Sequence, residues 1–245
     1  MCGSRHLLLL LDYDGTLTPI APSPKQATLP LATKSILRKL SRNPRLSVAL
    51  ISGRALGDLR QLVGLRGLTY IGNHGLEFWR EGERTVLDIP QSSREALDQI
   101  LPRLAKLVSD VPGAQLENKG LAVSLHYRQV PRDESRRLKL AFRRIVLPFV
   151  RAGTLTLLKG KKVIEVRPGL NWTKGDAASW LMRRMRRRSL LPIYIGDDQT
   201  DEDAFRMLQG GITIRTGIHR QSLAQYYVRG VRDVFRFLEL AAACA

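Results

Sequence analysis

Asp12 and Asp14 stand one residue apart at the end of an uninterrupted apolar run, in LLLLLDYDGTLTPI (residues 7–20). Two carboxylates this close repel each other unless a cation is held near them. A hard divalent ion such as Mg2+ meets that need, because it takes oxygen ligands and usually keeps substrate phosphate among them. A second set of acids, Asp197, Asp198, Asp201, Glu202 and Asp203, follows another apolar run late in the chain. Glu202 and Asp203 are explained by the preference of acids for the first turn of a helix, with Thr200 as candidate cap. Asp197 and Asp198 are not, and they sit at a strand end as Asp12 and Asp14 do. Two acidic pairs at strand ends of one sheet predict a metal site. Either pair alone would read as a strand running into a polar turn.

Two further positions could serve a phosphate. Ser52-Gly53-Arg54 ends an apolar strand, LSVALI (residues 46–51), where a hydroxyl and exposed N–H groups before a helix suit an anion. Lys174 opens a helix, where a cation opposes the helix dipole, and that local conflict suggests a functional reason. A third group, Glu117, Asn118, Lys119, His126, Arg128, Lys161, Glu165 and Arg167, falls on hairpins in the middle of the chain. Hairpin charges are usually just solvated. Mixed Glu and Lys on one sheet face would also bind a polyhydroxylated ligand, since Glu accepts from hydroxyls and Lys donates.

These residues need a scaffold that gathers strand ends. The first strand is apolar throughout, which predicts burial on both faces of a parallel sheet. Helical spacing at Leu31–Leu40, the strand at 46–51, a helix at 55–63 and a third strand at 69–71 give βαβαβ. The pattern then changes to three hairpins, around residues 81–83, 119–120 and 160–161, with helices predicted over Ser92–Ser109 and Asp133–Val150. Ser92 or Ser93 is the expected cap of the first of these helices. Alternation of helix and buried strand resumes with a helix from Lys174 to Arg187, strands over Leu191–Ile195 and Gly211–Ile214, and a last helix over Val231–Ala242. The expected fold is α/β: a doubly wound, mostly parallel Rossmann-like core from residues 1–78 and 168–245. An α+β cap over residues 79–167 is inserted in it. In such sheets ligands bind beyond the carboxyl ends of the strands.

Composition bounds the rest. The 245 residues carry a formal charge of +18, which fits anionic partners such as phosphorylated metabolites, nucleic acid or membrane surfaces. The most basic run, Arg183, Arg184, Arg186, Arg187 and Arg188, closes a helix and is read as its solvated end. No nucleic-acid-binding motif accompanies it, and no apolar run approaches the ~20 residues that span a bilayer. The expectation is a cytoplasmic monomer without nucleic-acid or membrane partners. Cys2 and Cys244 form no disulfide framework and receive no role.

Taken together, DYDGTL, the strand-end Ser52, the helix-opening Lys174 and GDDQTD resemble the four motifs of haloacid-dehalogenase-type phosphatases. With SGR (52–54), GNHGLE (72–77), LENKG (116–120), HYR (126–128), EVRPG (165–169), TKG (173–175) and GDDQTDEDAF (196–205), the chain is similar to the trehalose-6-phosphate phosphatase family over nearly its whole length. The resemblance implies Asp12 as nucleophile and Asp14 as general acid and base. It implies Mg2+ held by Asp12, the Asp14 backbone carbonyl and Asp197, with Asp198 counted in the metal site. Asp198 and Asp201 would orient the metal's waters and Lys174. Ser52 and Lys174 would neutralise the phosphoryl oxygens. Arg54, Glu117, Lys119, Arg128, Lys161 and Glu165 would bind the substrate, trehalose 6-phosphate, and closing the cap would exclude water. The alternative is a related phosphatase for sucrose phosphate or a mannosyl phosphate.

Overall fold

The computed structural model describes residues 6–23, 26–187 and 189–244. Cys2 and Arg188 fall outside them. The chain divides into two compact units, one from Met1–Val86 with Trp172–Ala245 and the other from Leu87–Asn171.

The first unit holds an eight-stranded sheet. Its strands are β1 (His6–Asp12), β2 (Leu46–Ile51), β3 (Thr69–Gly72), β4 (Glu77–Arg80), β5 (Glu83–Val86), β10 (Leu190–Gly196), β11 (Ile212–Thr216) and β12 (Tyr226–Val228), with β6–β9 in the other unit. The order is β12-β11-β10-β1-β2-β3-β4-β5. Pairing is parallel from β12 through β3 and antiparallel at β4 and β5. The leucines of β1 are central, and Leu8 to Leu11 are at most 1% exposed, as a strand with helices over both faces requires. Helices α1 (Leu31–Ser41), α2 (Leu56–Val63), α5 (Lys174–Met185), α6 (Glu202–Met207) and α7 (Val231–Cys244) belong to this unit, with α3 and α4 in the other. Leu37, Leu40, Leu59, Val63, Val234 and Leu238 bring α1, α2 and α7 into one core with β1 and β2.

The second unit is a four-stranded antiparallel sheet, β6 (Gln115–Asn118), β7 (Val123–His126), β8 (Leu155–Gly160) and β9 (Val163–Pro168), ordered β6-β7-β9-β8. Period-two alternation sends Val123, Leu125, Ile164, Val166 and Leu155 into a core with α3 (Gln91–Ser109) and α4 (Arg132–Arg151). Glu117, Ser124, His126 and Glu165 therefore fall on the opposite face.

Four local readings shift. The first hairpin, expected in the inserted unit, belongs to the core sheet, because β4 pairs with β3 and extends it as an antiparallel edge. The inserted unit thus begins at Leu87 rather than 79, and runs to Asn171 rather than 167. The cap of α3 is Pro90, and Ser93 lies inside the first turn, where its hydroxyl donates to the Thr154 carbonyl at 2.8 Å. Helix α5 stops at Met185 because Arg186 turns left-handed, with φ 46°. Strand β12, Tyr226–Val228, is built of strand-favouring residues but is too short to show a period, and the sequence reading passes over it.

Candidate active site

Register alone assembles the centre. In β1 and β10 Leu11 pairs with Ile195, and in β1 and β2 Asp12 pairs with Ile51. Three parallel strands therefore end together, and Asp12, Ser52 and Asp197 emerge at one edge. Beyond Asp12 the chain turns tightly, with the Gly15 N–H on the Thr18 carbonyl at 2.7 Å and Leu17 N–H on Tyr13 O at 2.9 Å. Tyr13 points back into the core and donates to Ala27 O at 2.9 Å, which anchors the Pro-rich loop. Gly15, at φ +88°, lies against the Asp197 carboxylate, so a Cβ there would overlap it.

Lys174 explains the conflict at its helix end. Thr173 caps α5 through a capping box with Asp176, which fixes the first turn. The Lys174 side chain is 3% exposed, and its Nζ donates to Asp12 Oδ1 at 2.7 Å and Asp201 Oδ1 at 2.8 Å. Asp201 Oδ2 accepts from the backbone N–H groups of Asp197 (3.0 Å) and Asp198 (2.9 Å), and the Tyr194 hydroxyl donates to Asp201 Oδ1 at 2.8 Å. Burial raises the Asp12 carboxyl well above the usual range; Lys174 opposes that rise and the charges of Asp201 and Asp197 add to it. Asp201 ends below its usual value, since Lys174 and the donated hydrogen bonds outweigh its burial. Lys174 is raised despite burial by the two carboxylates it bridges.

Ligand oxygens of Asp12, Asp197 and Asp201 lie within 4.8 Å of one another, all three residues buried. Three carboxylates against one ammonium leave an excess of two negative charges, which fits a divalent cation with oxygen ligands. At Gly15 the missing side chain lets the Asp197 carboxylate itself come close to the turn that follows Asp12. The acid that joins Asp12 and Asp197 is Asp201, not the expected Asp198, because the 3-10 turn over Gln199–Asp201 swings Asp201 back beneath the strand end. The Asp14 carboxylate is also outside this group; the Arg54 guanidinium takes it, with Nε on Oδ2 at 2.7 Å and Nη2 on Oδ1 at 2.6 Å.

The turn after β3 braces the Ser52–Arg54 loop. Ser52 N–H donates to Ile71 O (2.9 Å), Asn73 N–H to Arg54 O (2.7 Å) and His74 N–H to Ser52 O (3.0 Å). Asn73 and His74 hold φ of 49° and 56°, and the His74 ring packs where a Cβ on residue 53 would sit, so Gly53 is required. Asn73 Nδ2 donates to Glu77 Oε2 at 2.5 Å, fixing the turn from below.

Sequence reading misses Arg215 and the bracing role of Glu202. Arg215, on β11, donates to the backbone carbonyls of Asp197 (2.7 Å) and Asp198 (3.5 Å) and pairs with Glu202. Glu202 also accepts from the Ser222 hydroxyl (2.9 Å) and Leu223 N–H (2.8 Å). The acidic loop is thus held from behind. A lone arginine inside an apolar strand is the available signal.

In the second unit four predicted residues form two hydrogen-bonded groups. Lys119 Nζ and Ser124 Oγ donate to Glu165 Oε2 at 2.5 and 2.7 Å, and His126 Nε2 lies 2.7 Å from Glu117 Oε2. Burial would raise Glu117, but the hydrogen bond with His126 and the Lys119 charge hold it below its usual value. At the nearby turn Arg128 Nη2 donates to the Lys161 carbonyl at 2.8 Å.

The trehalose-phosphatase family model matches residues 10–227. A trehalose-phosphate phosphatase of Mycobacterium avium is 37% identical over 215 residues, covering 85% of this chain and 53% of that protein. The chain thus spans about half the length of the mycobacterial relative. Trehalose-phosphate phosphatase B of Arabidopsis thaliana is 31% identical over 255 residues, covering 96% of this chain and 66% of that protein. Among solved structures, the C-terminal domain of Candida albicans trehalose-6-phosphate phosphatase superposes with a TM-score of 0.84 at 26% identity, covering 98% and 94% of the two chains.

Proposed function

The chain belongs to the trehalose-phosphatase family, and from that premise we propose that it hydrolyses trehalose 6-phosphate to trehalose and phosphate, the last step of trehalose biosynthesis, in the cytoplasm. The observation that carries the reading is the bonded chain Asp12–Lys174–Asp201 with Asp197 beside it. In the first half-reaction an Asp12 oxygen attacks phosphorus, the bond from phosphorus to the sugar oxygen breaks, and Asp14 gives that oxygen its proton. In the second, water attacks the aspartyl-phosphate, Asp14 takes the water's proton, and phosphate leaves with Asp12 restored. Ser52 and Lys174 offset the charge of the phosphoryl oxygens throughout. Arg54 keeps Asp14 aimed until substrate binds.

Asp12, Asp197 and the Asp14 backbone carbonyl would hold Mg2+, with Asp201 and Asp198 orienting its surroundings. When bound, the ion supplies the positive charge that lets an anionic nucleophile meet an anionic ester. Sugar recognition falls to the unit Leu87–Asn171, through Glu117, Lys119 and Glu165 with Arg128 and Lys161.

Phosphate release from trehalose 6-phosphate, sucrose phosphate and a mannosyl phosphate, with Mg2+ present, tests this reading. Trehalose 6-phosphate should lead by about 10²-fold or more in kcat/KM, since unfilled hydrogen-bonding groups penalise the wrong sugar heavily. Equal turnover of all three would reassign the protein as a general phosphatase.

A further inference from the structure

At the amino end of the same sheet, away from Asp12, lies a cavity of about 590 Å³ lined by the starts of β2 and β3 and the end of β4. That volume is typical of a small-molecule site. Its cations are Arg60, Arg66 and Arg80, and its one acid is Glu81, which Arg80 already binds at 2.7 Å. A fourth cation adjoins it, for Lys34 Nζ lies against Gly64 at the rim. Arg60 sits over the Trp79 ring, 3.5 Å from its centroid, and a guanidinium so seated keeps its N–H donors around its edge. Neither Arg60 nor Arg66 has a hydrogen-bond acceptor among the described residues. Leu65, Leu68 and Val48 make the inner wall apolar.

Solvation alone explains single exposed arginines. It does not explain several cations converging on a concave, half-apolar space, one of them fixed on an aromatic face. We propose that this cavity is a second ligand site, for a small phosphorylated anion with a flat apolar part, of the class of nucleoside diphosphates. The guanidinium groups take the phosphates, as Arg forks do. The apolar wall takes the flat part. β2 begins in this cavity and ends at Ile51, just before Ser52; β3 begins in it and ends at Gly72, just before Asn73. The two sites therefore share two strands but no side chain.

Calorimetric titration of ADP into the full-length Asp12→Asn protein tests the proposal. ADP should bind equally well with and without saturating trehalose 6-phosphate. The double variant Arg66→Glu/Arg80→Glu should weaken ADP at least ~10-fold while turnover of p-nitrophenyl phosphate, measured with Asp12 intact, stays unchanged. Both arginines reach the surface, so the variant should keep the parent Tm; Arg66→Ser alone, with a smaller loss, serves as the milder second variant. Pyrophosphate should bind at least ~10-fold more weakly than ADP, because it leaves the apolar wall unfilled. Displacement of ADP by trehalose 6-phosphate, unchanged affinity in both arginine variants, or no binding at millimolar ADP would overturn the site. Equal binding of pyrophosphate would overturn the flat apolar part. Salt-sensitive retention of single-stranded RNA without ADP binding would give the face to nucleic acid instead.

Discussion

Arg54 grips Asp14 through two parallel hydrogen bonds of 2.7 and 2.6 Å, with the arginine side chain 10% exposed and the carboxylate 38%. The residue assigned to move protons is thus aimed before any substrate arrives. Such a fork cannot be copied by lysine. Arg54→Lys should lower kcat on trehalose 6-phosphate by about 10-fold, less than the 10²–10⁴ that the proton-transfer group itself contributes. The loss should shrink on p-nitrophenyl phosphate, whose leaving group needs little protonation. Parallel kcat measurements on both substrates check this; identical losses would mean that Arg54 does not act through Asp14.

Asp12→Asn removes the attacking oxygen while keeping shape and the Lys174 contact. Turnover should vanish, and circular dichroism should match the parent. An active Asp12→Asn protein would discard the covalent route.

The buried acids predict how metal and pH interact. Asp12 is raised by burial, and Asp201 and Asp197 add to the rise. A carboxyl raised in the folded state favours folding below its unfolded value, near ~4, and loses that contribution as pH rises through the folded value. Metal-free protein should therefore lose stability from this group on going from mildly acid to neutral pH, and Mg2+ should remove the loss. The Mg2+-induced rise in Tm should be larger at about pH 7.5 than at about pH 5. EDTA should silence turnover and Mg2+ restore it. A Tm shift equal at both pH values would contradict the charge argument.

In the second unit Glu117 is held below the usual carboxylate range by His126 and Lys119 against its burial. Its charged form should persist as pH falls through ~4.3, where an ordinary Glu titrates. In His126→Ala the carboxyl rises, and KM for trehalose 6-phosphate should begin to climb at a higher pH than in the parent. A KM–pH profile measures this directly, and a merely structural role for His126 would leave its position unmoved.

Arg215 holds the carbonyl of Asp197 and is paired with Glu202 in a nearly buried setting, with side chains 11% and 7% exposed. Arg215→Ala should cost about 3–5 kcal/mol, the usual result of stranding one member of a buried pair. It should also weaken Mg2+ about 10–100-fold, as loss of an outer support does. Urea unfolding and Mg2+ titration of activity read the two effects separately. Unchanged Mg2+ affinity would reduce Arg215 to a structural brace.

Residue patterns reveal the central strands and the acids at their ends because both signals are local. A parallel strand buried on both faces must be apolar throughout, as Leu7–Leu11 shows, and two acidic pairs at the ends of such strands in one sheet go beyond what polar turns explain. Asp201 joins Asp12 and Asp197 and Asp198 does not, because a 3-10 turn sets which side chain reaches back to the strand end, and that turn is held by hydrogen bonds from the Asp197 and Asp198 N–H groups. Strand β12 and the bracing role of Arg215 are hard to read for another reason. Tyr226–Val228 is a strand only because β11 lies beside it, and Arg215 is tolerated only because Glu202 and two carbonyls meet it there. Likewise the first hairpin looks like the other two; only its pairing with β3 puts it in the larger sheet.

Strand β1 is bordered on one side by β2 and on the other by β10, so His6 neighbours Leu190. During synthesis Asp12 leaves the ribosome long before Leu190–Gly196, so one flank of its strand stays uncovered until those residues follow. Pairings this distant in sequence are slow to close. Catalytic competence should therefore switch on late and all at once, and a nascent chain stalled before β10 should show none, however well its first strands have formed.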